Sequence, residues 1–174
     1  MIKKIKISRS ERIILIFIII LGVFSLTSLI IIKDKCLFVK NYNPSNIQFD
    51  NPQNIAVLNA ECGNVIIELY PNVSPNSVKR FKTLIRSGDY NDVAFHRVIE
   101  NKIIQAGDLE FGKRENLDYG RVGTGKSGLG TIQSETDGNF KYKRGSVGLV
   151  RSFQMNTEDS QFFITLKDEP LFEG

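Results

Sequence analysis

From Ile13 to Ile32 the chain runs for 20 residues without a charge. Backbone N–H and C=O groups in hydrocarbon must be satisfied within their own segment, so such a run reads as one helix of about 30 Å, enough to cross a bilayer core. Lys3, Lys4, Lys6, Arg9 and Arg12 precede it against a single acid, Glu11. That bias keeps the amino terminus in the cytoplasm and sends the rest of the chain out. A cleaved secretory signal shares the basic-then-apolar order. Its apolar core is shorter, about 7–15 residues, and Ile30-Ile31-Ile32-Lys33 offers no small-x-small cleavage site, which favours an uncleaved signal-anchor. A buried core helix fits the basic flank least well. The expectation is a single-pass membrane protein: residues 1–12 a basic cytoplasmic terminus, 13–32 the transmembrane helix, and everything later on the extracytoplasmic side.

The formal charge of +4 lies wholly in residues 1–12, which hold five basic side chains and one acid. The remainder is balanced and carries no electrostatic footprint for nucleic acid; the basic end suits anionic headgroups. Residues 33–53 turn polar, with Pro44 and Pro52, and read as a tether. Two cysteines, Cys36 and Cys62, are too few for a disulfide framework or a zinc site. They leave two readings, a single bridge outside the cytoplasm or two unpaired thiols. Neither a metal nor a cofactor is expected, and the residues set no oligomeric state.

Residues 54–174 are expected to form the folded domain. Ile55–Leu58 and Asn64–Tyr70 read as two short strands around a Cys62-Gly63-Asn64 turn. Ser74-Pro75 opens a helix whose Val78, Phe81, Leu84 and Ile85 repeat on one face until Gly88 stops it. Strand-like runs follow at Val93–Ile99, Lys102–Ala106, Ser146–Val150 and Gln161–Leu166, while residues 112–145 are rich in glycine and charge and read as loop. The pattern argues for a mainly β fold, a closed or partly closed antiparallel barrel plugged by one helix.

Two blocks carry chemistry: Phe95-His96-Arg97-Val98-Ile99 with Gln105-Ala106-Gly107-Asp108, and Ser160-Gln161-Phe162-Phe163-Ile164. An arginine, an amide and phenylalanines suit a site that grips an X-Pro peptide and twists it. Rotation about that bond meets a barrier of roughly 18–20 kcal/mol because amide resonance must be broken. Halfway round, the proline nitrogen regains a lone pair, and a fixed cation donating to it favours the twisted form over both planar ones. Arg97, always charged and carrying a rigid fork of donors, fits that task; lysine does not. No proton moves, so His96, the single histidine, is read mainly as a structural neighbour.

The blocks, in this order, resemble the signature of the cyclophilins, the prolyl cis-trans isomerases, over roughly Ile55 to Gly174. The resemblance implies a cyclophilin-like antiparallel β-barrel with one capping helix, preceded here by a single transmembrane helix. It makes Arg97 the principal catalytic residue. It assigns substrate contacts to His96, to Gln105 (an amide bonding both substrate backbone and arginine) and to Phe163 at the floor of a proline pocket. Ile103 falls at an apolar wall, Gln161 beside Phe163 as a polar contact, and Val150 and Arg151 on a strand that pairs with the peptide. Alternation sends Phe162 to the opposite face, into the core.

Three positions depart from the family pattern. Lys102 stands where an aromatic pocket residue is usual, and Leu171-Phe172 replace an aromatic or histidine followed by leucine, which puts Phe172 in the pocket. The sequence also stops where cyclophilins continue with further strands and a closing helix, so the barrel is expected to be incomplete at its carboxyl end. The function implied is isomerisation of proline-containing segments of exported proteins. Against it stand a non-catalytic, membrane-tethered binder of proline peptides and an inactive truncated remnant. Gly120-Arg121-Val122-Gly123-Thr124-Gly125-Lys126-Ser127 matches a phosphate-binding P-loop letter for letter, but no apolar strand precedes it and Gly128-Leu129-Gly130 follows in place of a helix, so nucleotide hydrolysis is rejected.

Overall fold

The computed structural model describes residues 8–33, 36, 43–135 and 140–170. Contacts divide the chain into two units, residues 1–49 with 57–66, and residues 50–56 with 67–174. The first unit holds helix α1, Arg9–Lys33, which starts earlier than the expected 13–32 because Ser8 and Glu11 cap its first turn, the Ser8 N–H donating to Glu11 Oε2 at 2.7 Å. Its segment Arg9–Ile30 is 22 residues long, mean hydropathy 3.0, with none of it buried. The helix is therefore long and apolar enough to cross a membrane.

The same unit settles the cysteine question. Cys36 and Cys62 form a disulfide across 26 residues, so the polar tether is anchored at one point to the tip of a hairpin. That hairpin, β1 Ile55–Ala60 and β2 Gly63–Glu68, turns at Glu61-Cys62, earlier than the sequence suggests. Gly63, at φ 147°, takes the backbone shape that a side chain would resist.

The second unit is built on a four-stranded antiparallel sheet in the order β3–β4–β6–β5, with β3 Arg97–Ile99, β4 Ile103–Ala106, β5 Val147–Leu149 and β6 Phe162–Thr165. Each strand is shorter than its sequence run. Val93 pairs only as an isolated bridge with Lys113, flanked by the Ala94 N–H donating to the Gly112 carbonyl and the Arg114 N–H to the Asp92 carbonyl, both at 2.8 Å. Among the described residues the sheet is open, with β3 and β5 at its edges.

Helix α2, Pro75–Arg86, carries proline at its first turn and buries Val78, Phe81 and Leu84. Ile85, expected on the same face, is 39% exposed. Ser74 makes no side-chain cap. Instead Glu135, distant in sequence, accepts from the Asn76 and Ser77 N–H groups at 2.7 and 2.8 Å and from the Ser77 hydroxyl, placing a carboxylate on the positive end of the helix. Phe162 is the hub of the core. Its ring meets Phe81 at 5.3 Å, Tyr90 at 5.5 Å and Phe95 at 6.4 Å, all edge-on, the arrangement that ring quadrupoles favour.

Thiol alkylation tests the covalent tie. With reductant absent, the folded full-length chain should leave both cysteines unlabelled and label both after reduction; labelling before reduction would contradict the bridge.

Candidate active site

Register decides which side chains meet. Arg97 lies opposite Gln105, Gln105 opposite Phe163, and Phe163 opposite Gly148. Directly opposed residues of antiparallel strands project to one face, so Arg97, Gln105 and Phe163 form a row across three strands, about 10 Å from end to end at the usual strand spacing. Val98, Ile104, Phe162 and Leu149 belong to the other face. Phe162 there packs on α2, as alternation requires.

Within the row, Arg97 donates to Gln105 Oε1 at 3.3 Å, and Gln105 Nε2 donates to Gln161 Oε1 at 2.9 Å. Gln161 Nε2 donates in turn to the carbonyls of Gly123 and Gly125, at 3.1 and 3.0 Å. Arg97 is exposed and Phe163 half-buried, whereas Gln105 and Gln161 are 6% and 8% exposed. The Phe163 ring lies 5.5 Å from that of Tyr142. A side chain on Gly148 would collide with both, its Cβ falling 2.8 Å from each, so the glycine gives the two rings their room.

Asp108 holds the glycine-rich loop against this row. Fully buried, its carboxylate accepts from the N–H groups of Glu110, Phe111, Gly123 and Gly125 at 3.1, 2.8, 2.7 and 2.9 Å. Burial alone would raise its pKa, yet the four donors outweigh burial and the carboxyl sits below its ordinary 3.8. The letter-perfect P-loop is thereby explained away. Its Gly123 and Gly125 amides serve Asp108, and its Ser127 N–H and hydroxyl serve Asp159, which also pairs with Arg80. These amides are engaged within the fold and do not gather around a phosphate.

Other expected residues fall into place unevenly. Ile103 shares the face of the row but is 4% exposed, more core than open wall. Val150 directs its N–H to the Gln161 carbonyl at 2.7 Å, so that group belongs to the sheet, and Arg151, beyond the end of β5, donates to Ser152 O at 3.3 Å. Lys102 sits half-buried in the turn between β3 and β4. Phe172 lies outside the described residues. Asp108, Gly123 and Gly125 are visible in the sequence only as punctuation; nothing local marks a carboxylate that will gather amides 15 and 17 positions away.

His96 packs its ring 3.6 Å from the position a Gly123 Cβ would take. Neither ring nitrogen makes a hydrogen bond among the described residues, the Ala94 backbone and Gln161 being near but outside bonding geometry. Burial, with Arg97 adding to it and Asp108 opposing, holds its pKa below the ordinary 6.5. It is neutral at pH 7.

Comparison with known proteins identifies the family. The profile of the cyclophilin type peptidyl-prolyl cis-trans isomerase family matches residues 55–174. A probable peptidyl-prolyl cis-trans isomerase of Brucella suis is 41% identical over 125 residues, 71% of this chain and 63% of that protein. A peptidyl-prolyl cis-trans isomerase-like 1 of Gibberella zeae is 32% identical over 122 residues, 68% of each. The crystal structure of a Cryptosporidium parvum cyclophilin type isomerase, in the presence of the dipeptide Ala-Pro, superposes with TM-score 0.55 at 30% identity, covering 64% of this chain and 67% of that one. A cyclophilin of Hirschia baltica shares the fold, TM-score 0.58 at 19% identity, over 76% and 67% of the two chains. The chain belongs to the cyclophilin type peptidyl-prolyl cis-trans isomerase family. It spans 63% of the length of the Brucella relative.

His96, half-buried, and Asp108, fully buried, predict an acid response. Because the folded His96 pKa lies below 6.5, the unfolded chain binds the proton more readily, and stability should start to fall as pH drops below about 6.5. Asp108 adds a second loss only below its ordinary 3.8. Chemical denaturation at stepped pH should show the first loss in the native chain and not in His96→Gln; an unchanged slope in the variant would refute the assignment.

Proposed function

We propose that this chain catalyses cis-trans isomerisation of X-Pro peptide bonds, with Arg97 stabilising the rotated imide. The row Arg97–Gln105–Phe163 is the observation that carries the reading. A dipeptide spans about 7 Å, so a proline ring can rest on the half-buried Phe163 while its flanking carbonyl and nitrogen come within reach of the guanidinium. Gln105 takes one donor of Arg97, which leaves the others for the peptide. That anchored arrangement supplies charge where lone-pair density appears during rotation, and needs no reorganisation when it does. No acid or base takes part, which agrees with a neutral His96.

The first unit supports a placement for this activity. Helix α1, with its basic leading flank, suits a signal-anchor whose amino terminus is cytoplasmic. A disulfide at Cys36–Cys62 suits an oxidising compartment. Both favour a domain outside the cytoplasm acting on exported polypeptides. Full labelling of the cysteines in unbroken cells by a membrane-permeant thiol reagent, with none by an impermeant one, would overturn that placement.

A binding module that grips proline segments without turning them is the second reading. Lys102, standing where the family usually has an aromatic pocket residue, favours it, since an aromatic contact to the proline ring is lost.

Isomerisation of a proline peptide by the full-length chain in detergent micelles separates the two. Arg97→Ala should lower kcat/KM by about 100-fold, the usual scale for removing one preorganised donor, and Arg97→Lys should restore little of it. Equal rates for native and Arg97→Ala chains would remove the catalytic reading, and retained peptide affinity would then leave the binding module.

A further inference from the structure

The hydrogen bonds around Gln105 have a direction that the chemistry of their ends imposes. At one end stand the carbonyl oxygens of Gly123 and Gly125, 3.1 and 3.0 Å from Gln161 Nε2. Carbonyls only accept, so Gln161 must present its NH2 to them. Its Oε1 then faces Gln105, which must answer with its own NH2 at 2.9 Å. Gln105 is left with Oε1 toward Arg97. At the other end the guanidinium, which only donates, demands the same orientation. The chain of two amides is thus satisfied in one sense and frustrated in the other.

We infer that Gln161 is a positioning residue for Arg97, the middle link of an amide relay that starts at the Asp108 carboxylate and ends at the guanidinium, and is not itself a contact for substrate. Gln161 is 8% exposed. Both protons of its amide and its oxygen are already engaged, so it has little to offer a peptide. Its anchor is firm because the same two glycines donate their N–H groups to Asp108 Oδ2 at 2.7 and 2.9 Å, which pins the residues whose carbonyls Gln161 meets. A side chain at Gly125 would collide with that carboxylate, so this link of the relay is closed to any other residue.

The consequence is specific. If Gln161 is lost, the Gln105 NH2 loses its acceptor, and only the exposed guanidinium still holds that amide. Held from one end in place of two, the Gln105–Arg97 pair loses its fixed position. The relay acts through Arg97, so the inference rests on the proposed role of that residue in rotation.

Gln161→Met tests it, since methionine keeps approximate length and apolar bulk but neither donates nor accepts strongly. In the full-length chain in micelles, kcat for a proline peptide should fall on the order of tenfold while KM stays within about twofold, the mark of lost positioning. Added to Arg97→Ala, the same substitution should cost nothing further. An unchanged kcat, or the same loss in both backgrounds, would overturn the relay.

An independent readout covers a chain that does not turn over its peptide. The Gln105 carboxamide protons, seen by NMR, should be slow to exchange in the native chain and fast in Gln161→Met. Fast exchange already in the native chain, or slow exchange in both, would overturn the relay whatever becomes of the proposed function.

Discussion

The register of three antiparallel strands is the constraint on which the rest hangs. β4 pairs with β3 and β6 such that Gln105 sits between Arg97 and Phe163. Since side chains alternate faces with period two, a slip of one residue in either pairing would turn Arg97 or Phe163 away from Gln105, and a slip of β6 would put Phe162 in the place of Phe163. What pins the register is the other face. Phe162 is locked edge-on among Phe81, Tyr90 and Phe95, and Ala106 and Ile164 are buried with it. Burial of one aromatic side chain, typically worth about 1.5–3 kcal/mol, thus holds in place a row of polar groups that would not order themselves. The Tyr90 hydroxyl adds a peg, donating to the Ser160 carbonyl at 2.6 Å, and burial pushes its pKa up so that it stays a donor.

A second constraint comes from the loops. Residues 112–135 contribute little to the core, yet two buried carboxylates tie them to the sheet: Asp108 through Gly123 and Gly125, Asp159 through Ser127 and Arg80. Each replaces water with N–H and guanidinium donors, the condition under which a charge can be buried at tolerable cost. Loop backbone that would otherwise be mobile therefore becomes a fixed wall of carbonyls beside Gln161. The site is polar on one side, where amides and a guanidinium are oriented, and aromatic on the other, where Phe163 rests on Tyr142.

Much of this is legible in the order of the residues alone. Apolar length and basic flank mark α1; helical spacing of Val78, Phe81 and Leu84 marks the buried face of α2; alternation separates Phe162 from Phe163. Those readings depend on local period, which a linear sequence carries. Contacts between distant residues are not legible in the same way. The Glu135 cap on α2 joins positions 58 and 59 apart, the Cys36–Cys62 bridge is one of two readings the residues leave open, and Asp108 gives no sign that it gathers the glycine loop. The hairpin turns at Glu61-Cys62 and the strands are shorter than their apolar runs for the same reason: ends of elements are set by tertiary partners, while their middles are set by pattern.

The central claim is that one face of the sheet, bearing Arg97, Gln105 and Phe163, is the surface a proline peptide meets. Titration of the full-length chain with a short Ala-Pro-containing peptide, followed by NMR, tests it most directly. The account predicts shifts of the Arg97 Nε–Hε, the Gln105 carboxamide and the Phe163 ring, with Phe162, Ile104 and Val98 left near their starting positions. Shifts confined to the Phe162 face, or none at saturating peptide, would contradict it.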